Sequence, residues 1–254
     1  MDDDQIERYA RHIVLKEVGG AGQQKLLQSK VLAVGAGGLG SPLIMYLAAA
    51  GVGTIGVVDD DMVALSNLQR QVLHGSDDLG LTKTESAVRA VRRINPDVRI
   101  VEHRTRFGET NGRELVEGYD IVCDGSDNFA TRFAVHDACF AARKPLVSAA
   151  VLRFDGQIAT WRGWEADRPC YRCLYRDIPP EEQSCARDGV LGAIVGVMGS
   201  LQATETVKEL LGLGEGLTGR LLIYDGLSAS FRRITVKPDP ECPLCGGGEA
   251  SRPA

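Results

Sequence analysis

Four of the seven cysteines come in two pairs of the kind that binds metal. Cys170 and Cys173 flank Tyr-Arg, Cys242 and Cys245 flank Pro-Leu, and a long stretch of chain separates the pairs. Two Cys-x-x-Cys pairs supply the four thiolates of a tetrahedral structural zinc site. Here such a site would tie the C-terminal segment to the body across a long loop. Redox chemistry is the rival, but redox pairs usually come singly, after a strand and at a helix N-terminus. Cys123 and Cys139 fall in apolar strand and helix patterns and read as core. Cys185 closes a polar loop beside Arg187, and its spacing fits an incidental thiol and an activated nucleophile equally.

A second chemical signature lies earlier in the chain. Val31-Leu-Ala-Val34 reads as a short buried strand, and Gly35, Gly37 and Gly40 follow it as G-x-G-x-x-G, with Gly38 as an extra glycine. Such a turn lets backbone approach a phosphate and aims a helix N-terminus at it. Asp59 ends the next apolar run, 53–58, where a ribose hydroxyl is expected. Alone, these features favour an NAD-binding protein. Thr82 and Glu85 make a capping-box pattern that puts Lys83 in the first turn of a helix. A cation there opposes the helix dipole by ~0.3–1 kcal/mol. An anionic ligand at that helix end would supply Lys83 with its partner; a tolerated exposed lysine is the plainer account. Asp124 and Asp127 mark another strand-to-helix edge, where open α/β sheets bind ligands.

The elements that must hold these residues alternate. Strands are expected over 31–34, 53–58, 98–102, 119–124 and 144–151, and helices over 41–50, 82–94 and from Asn128 to about Ala142. That rhythm predicts the α/β class, a Rossmann-like doubly wound sheet. Alternating segments at 156–162, 221–224 and 231–236 would extend it with antiparallel strands. Residues 1–30 read as a helical arm, with helices over 3–17 and 21–28, on which Arg8, Arg11 and His12 would be surface groups. Residues 31–254 read as one domain, divided into a nucleotide-binding half (31–152) and a second half (153–246) with the polar loop 175–185 and the cysteines. A small-residue-rich helix over 192–211 suits deep burial or a subunit interface, and 246–254 is expected to be disordered.

Composition narrows the function classes. With 44% hydrophobic and 25% charged residues the chain can form an ordinary globular core. A net charge of -5 without a basic tract argues against nucleic acid as a partner. No apolar run is long enough to span a bilayer, and Met-Asp-Asp-Asp lacks signal-peptide character, so no membrane and a cytoplasmic location are expected.

Taken together, Arg8-Tyr-Ala-Arg-His12, the Gly35–Gly40 turn, Ser66-Asn-Leu-Gln-Arg70, Lys83, Asp127-Asn128, both cysteine pairs and Gly199-Ser-Leu-Gln-Ala203 resemble one family. This is the ubiquitin-activating-enzyme-like adenylyltransferase family, whose members act on ubiquitin-like sulfur-carrier proteins. The likeness runs from about Gln5 to Gly246 and is strongest to the molybdopterin-synthase and thiamine-pathway branches. It implies an adenylation domain over 31–254 that uses Mg-ATP to adenylate the C-terminal glycine of a small carrier ending in Gly-Gly, releasing pyrophosphate. The molybdopterin carrier is expected before the thiamine one.

The resemblance also assigns residues. Gly38 would back the nucleotide and Asp59 would hold its ribose. Ser66, Asn67, Leu68, Gln69, Arg70, Lys83 and Asn128 would surround ATP, with Arg70 and Lys83 neutralising charge at the phosphates. Asp127 would hold Mg²⁺, and the four paired cysteines Zn²⁺. Arg11 would reach the partner subunit's site in a homodimer, and Cys185 would stand on a crossover loop as a candidate nucleophile. No rhodanese-like segment follows Cys245, so a separate sulfur donor protein is expected.

Two rivals come from other classes. An NAD-dependent oxidoreductase explains the glycine turn and Asp59 but gives Arg70, Lys83, Asp127 and the cysteines no joint role. A non-catalytic, zinc-stabilised module that binds ubiquitin-like proteins has against it the complete set of phosphate-handling residues. A tRNA-modifying relative of the same fold sits poorly with the acidic charge and the cysteine pairs.

Overall fold

Short runs of Val, Ile, Leu and Ala make the centre of a sheet, seen in a computed structural model that describes residues 1–177 and 185–246. Strands β1 (Lys30–Val34), β2 (Thr54–Val58), β3 (Arg99–His103), β4 (Ile121–Asp124) and β5 (Leu146–Leu152) are all parallel. Strands β6 (Asp155–Trp161), β7 (Arg220–Asp225) and β8 (Ser230–Thr235) continue the sheet antiparallel. Among the described residues the sheet has eight strands in the order β3-β2-β1-β4-β5-β6-β7-β8. This is the expected doubly wound sheet with an antiparallel extension. Chain order reverses between β1 and β4, so a crevice opens at the carboxyl ends of those two strands.

The connecting helices are α1 (Asp3–Arg8), α2 (Ala10–Ile13), α3 (Gly19–Gln28), α4 (Gly40–Ala49), α5 (Lys83–Ile94) and α6 (Gly112–Glu117). The second half adds α7 (Phe129–Ala141), α8 (Tyr171–Leu174), α9 (Cys185–Asp188) and α10 (Gly192–Leu211). The single helix expected over 3–17 is broken at Tyr9, where the chain bends to bury the ring. The Tyr9 hydroxyl accepts a hydrogen bond from Asn95 Nδ2 (2.8 Å), and Arg8 Nη1 donates to the Ile94 carbonyl (3.0 Å). Tertiary contacts to the end of α5 thus outweigh local helix continuity. The short helices α6 and α8 lack a legible apolar period and were not foreseen. β5 starts at Leu146, after Pro145, which has no N–H to offer a ladder.

Helix α10 lays one stripe on the sheet and on α4, burying Ile194, Val195, Met198, Gly199, Gln202 and Thr206. Ala193, one residue before this stripe, is exposed. Gln202 Nε2 donates to the carbonyls of Asp124 (2.8 Å) and Val147 (2.9 Å), joining the ends of β4 and β5 beneath the crevice. Among the described residues no helix is long and apolar enough to cross a membrane. The expectation for 246–254 falls, beyond Gly246, outside the described residues, as does most of the loop 175–185.

Candidate functional site

A cleft of about 700 Å³ opens at the crevice between β1 and β4. Its floor is the glycine turn. Gly35 has φ +93°, a left-handed conformation that glycine adopts without strain. A Cβ on Gly38 would stand 2.7 Å from Val195 Cγ1 of α10, so only glycine fits between cleft and helix. Gly38, Asp59, Arg70, Lys83, Asp127 and Asn128 all line this cleft.

Three of the charged groups that line the cleft, Asp59, Asp61 and Lys83, form a cluster. The Asp59 carboxylate accepts from the N–H groups of Ala36 (2.8 Å) and Asp61 (2.9 Å). Burial pushes the Asp59 pKa up, with Lys83 the largest opposing influence. Lys83 is only 5% exposed, and its Nζ lies 2.6 Å from Asp61 Oδ2 and 3.9 Å from Asp59 Oδ1. The protein itself therefore gives this lysine carboxylate partners. Asp61 is the exposed member, and an ion pair with an exposed partner is worth little, so an incoming anion can compete for Lys83. Thr82 caps α5 as expected, its hydroxyl accepting from Glu85 N–H (3.2 Å).

The other assigned residues divide. Arg70 faces the cleft and is steadied by Nη1 donating to the Ser66 carbonyl (3.0 Å). Ser66, Asn67, Leu68 and Gln69 lie outside the cleft lining; Leu65–Asn67 forms a 3-10 turn, and Asn67 Oδ1 accepts from Ala64 N–H (3.1 Å). In this conformation they shape the approach to Arg70. Asp127 is exposed at the cleft edge, and Asn128 Nδ2 donates to its carboxylate at 3.4 Å. Asn128 Oδ1 is committed to capping α7 through Thr131 N–H (2.9 Å). Arg11 lies exposed on α2, outside the cleft lining. Cys185 heads α9, and its side chain is outside the described residues.

Several cleft residues escaped sequence reasoning. Gln71 follows Arg70 directly, and Arg106, Gln157 and Tyr175 come from loops and a strand without a chemical signature. Arg132 was findable, being four residues beyond Asn128 and hence on the same face of α7. Its Nε and Nη2 donate to the Ser126 carbonyl (3.3 and 3.0 Å). Asp124 is completely buried and does not line the cleft; it accepts from Ser126 N–H (2.9 Å) and the Ser148 hydroxyl (3.4 Å). Burial raises its pKa, opposed chiefly by Arg132, and its role is to fix the loop that presents Asp127.

The four paired cysteines meet outside the cleft lining, in a cluster with Phe140, Trp164 and Leu244. Their sulfurs all lie within 4.8 Å of one another, with separations of 3.5 Å (Cys170–Cys242), 3.4 Å (Cys173–Cys245) and 3.8 Å (Cys170–Cys173). A tetrahedral zinc with Zn–S bonds of about 2.3 Å separates its sulfurs by roughly 3.8 Å. The donor set and its spacing fit a closed, structural four-thiolate zinc site.

Known proteins resemble this chain along its length. It is 49% identical to the SAMP-activating enzyme E1 of Haloferax volcanii over 250 residues, covering 98% of this chain and 92% of that protein. It is 45% identical to the sulfur carrier protein adenylyltransferase of Thermus thermophilus, covering 98% and 94%. With the probable adenylyltransferase/sulfurtransferase MoeZ of Mycobacterium tuberculosis the identity is 47%, but only 62% of that longer protein is matched. Among solved structures, E. coli MccB with ATP superposes with a TM-score of 0.82 at 24% identity, covering 94% of this chain and 74% of MccB, a likeness of fold. The model of the ThiF family matches residues 9–244, and the chain belongs to that family.

Proposed function

We propose that this protein is an adenylyltransferase that uses ATP to activate the C-terminal glycine carboxylate of a ubiquitin-like sulfur-carrier protein. The observation that carries this reading is one cleft in which a glycine turn, Arg70, Lys83 and Asp127 stand together. A hydride-transfer site has no need of two cations and a carboxylate around the phosphates, whereas phosphoryl chemistry does. The names of the Haloferax and Thermus relatives point the same way.

A carboxylate is a poor acyl donor because its leaving group would be oxide; an acyl-adenylate leaves as AMP. The carrier's carboxylate oxygen attacks the α-phosphorus, that bond forms, and the bond to the β-phosphate oxygen breaks to release pyrophosphate. Catalysis is then positioning and charge stabilisation. Gly38 lets the nucleotide lie against the turn, Asp59 receives the ribose, and Arg70 and Lys83 take up charge that develops on the phosphates. Asp127, an exposed carboxylate at the cleft edge, suits a hard cation. It would hold Mg²⁺, which neutralises phosphate charge when bound. Arg11, exposed on its anchored arm, would complete the site of a partner subunit in a homodimer.

The molybdopterin carrier is assigned as the substrate, with the thiamine carrier as its competitor. ATP–pyrophosphate exchange measured with each carrier in turn tests both levels. Exchange with the first carrier supports the assignment, and exchange with the second alone moves the protein to the thiamine branch. Tight NADH binding without exchange by either would overturn the reading.

A further inference from the structure

Below the glycine turn lies a buried chain of polar groups that the reaction as described does not use. His74 is 6% exposed, and its Nε2 lies 2.8 Å from the carbonyl oxygen of Ala36, inside the turn. Its Nδ1 lies 2.8 Å from Ser86 Oγ, which stands 2.8 Å from Asp78 Oδ2; Ser86 is fully buried. Asp78 Oδ2 also accepts from Gly75 N–H (2.8 Å). At the opposite end, Ala36 N–H donates to Asp59. Ala36 is thus held at its N–H by the carboxylate expected at the ribose and at its C=O by a histidine.

Proton counting fixes the imidazole. A carbonyl oxygen only accepts, so Nε2 must carry a hydrogen. Ser86 has one hydroxyl proton for two acceptors: given to Nδ1 it leaves a neutral ring with its hydrogen on Nε2, and given to the Asp78 carboxylate it requires a hydrogen on Nδ1 as well, an imidazolium. The Ala36 carbonyl therefore sets the hydrogen on Nε2, and Ser86 and Asp78 orient the ring that delivers it. The arrangement meets the nucleotide site again at α5, since Ser86 lies one turn after Lys83 on the same helix. The charged groups facing His74 are Lys83, Asp59 and Asp78.

The geometry points to His74 as a positioning residue for the nucleotide: it pins the Ala36 carbonyl so that the Gly35–Gly38 backbone is set for the phosphates before ATP arrives. This rests on the adenylyltransferase reading only in that the turn's ligand is ATP. Preorganisation of this kind acts on binding and not on the chemical step.

The test is titration calorimetry of the full chain with Mg-ATP, beside exchange kinetics and thermal melts. In His74→Leu the Ala36 carbonyl loses its donor, and leaving a buried acceptor unpaired should weaken ATP by roughly 10- to 100-fold. The exchange kcat should stay near wild type while KM for ATP rises. His74→Gln places an amide N–H where Nε2 stood and should bring the affinity back to within a few-fold. Nitrogen NMR of the imidazole should show hydrogen on Nε2 in the wild type, its absence overturning the inference, and Ser86→Ala, which frees the ring to turn, should bind ATP more weakly.

If wild type binds no ATP, the functional reading falls and not merely this inference. If wild type binds ATP and folded His74→Leu binds it equally well, the inference is overturned. Should His74→Leu fail to fold, Ser86→Ala decides: unchanged ATP affinity overturns it as well.

Discussion

Strands β1, β2 and β4 bury nearly every residue, while β8 is exposed at all six positions and β7 is mostly half-buried. The parallel half is covered on both faces by helices, and hydrophobic burial is enough to hold it. Its strand ends are then free to collect charge around a cleft. The antiparallel half ends in an edge strand with little apolar cover, and a zinc ion on the cysteine cluster would supply what burial does not. It would join residues 72 apart in the chain, linking the C-terminal segment to Cys170. One half stores stability and spends it on a site; the other is pinned from outside. Each substitution below should therefore affect either chemistry or stability, and seldom both.

The largest effect is expected from Arg70→Ala. The residue is half-buried in the cleft, and among the described residues its side chain is held by a hydrogen bond to the Ser66 carbonyl, so folding should barely change. Adenylation should fall by about 10²-fold or more, the usual cost of removing a group that meets transition-state charge. Exchange kinetics and a melting curve on the same sample measure both. In the same assay Cys185→Ala should retain adenylation, since attack of the carboxylate on the α-phosphorus as proposed needs no thiol. A large fall in exchange there would place the cysteine in the wrong step.

Cys242→Ser, or zinc removal by a chelator, should act in the opposite sense. A cross-link across 72 residues restricts the unfolded chain by roughly 4 kcal/mol in the chain-entropy account, or ~10 °C in Tm at this size. ATP affinity should remain while the antiparallel edge loses hydrogen-exchange protection first. Equal loss of protection in β1 and β8 would show that the two halves are not separately stabilised.

Gly38→Ala probes the contact between the glycine turn and α10. Its new methyl carbon would lie 2.7 Å from Val195 Cγ1, and overpacking of that size costs about 1–3 kcal/mol. α10 or the turn must shift, so ATP affinity and Tm should both fall moderately. Val195→Ala in the same chain should recover part of each.

How much of this was legible in the sequence follows from the same contrast. The parallel strands, the glycine turn and both cysteine pairs were readable because each depends on local pattern or fixed spacing. The eight-strand architecture followed from the rhythm of the elements. What sequence did not show was partnership. In sequence Lys83 reads either as a tolerated exposed lysine or as a cation awaiting an anion, yet it is buried and Asp61 and Asp59 already flank it. Asp124 seemed equivalent to Asp127 but is buried beneath it. The break at Tyr9 and the role of His74 arise from contacts with residues far along the chain, at Asn95 and Ala36, which no window on the sequence contains.

The smallest effect expected is a pH slope. Burial holds the His74 pKa below its ordinary value of 6.5, with Lys83 acting in the same direction. The fold thus favours neutral imidazole, and as pH falls below 6.5 the unfolded chain takes up the proton first. The stability contributed by the neutral ring is complete above 6.5 and is lost as pH falls through the depressed folded value. A single proton limits the slope to about 1.4 kcal/mol per pH unit. Asp59 and Asp124, whose pKa values are raised by burial, act oppositely: their contribution is complete below the unfolded value of 3.8 and is lost as pH rises through the raised one. Both carboxylates are present in wild type and in His74→Gln, so their contribution cancels in the difference between the two proteins. Urea midpoints measured from pH 7.5 to 5 should show wild type losing more stability than His74→Gln. Parallel curves would mean that the ring titrates alike in the folded and unfolded chain, whereas an imidazolium held by Asp78 through Ser86 would make wild type gain stability over His74→Gln as pH falls.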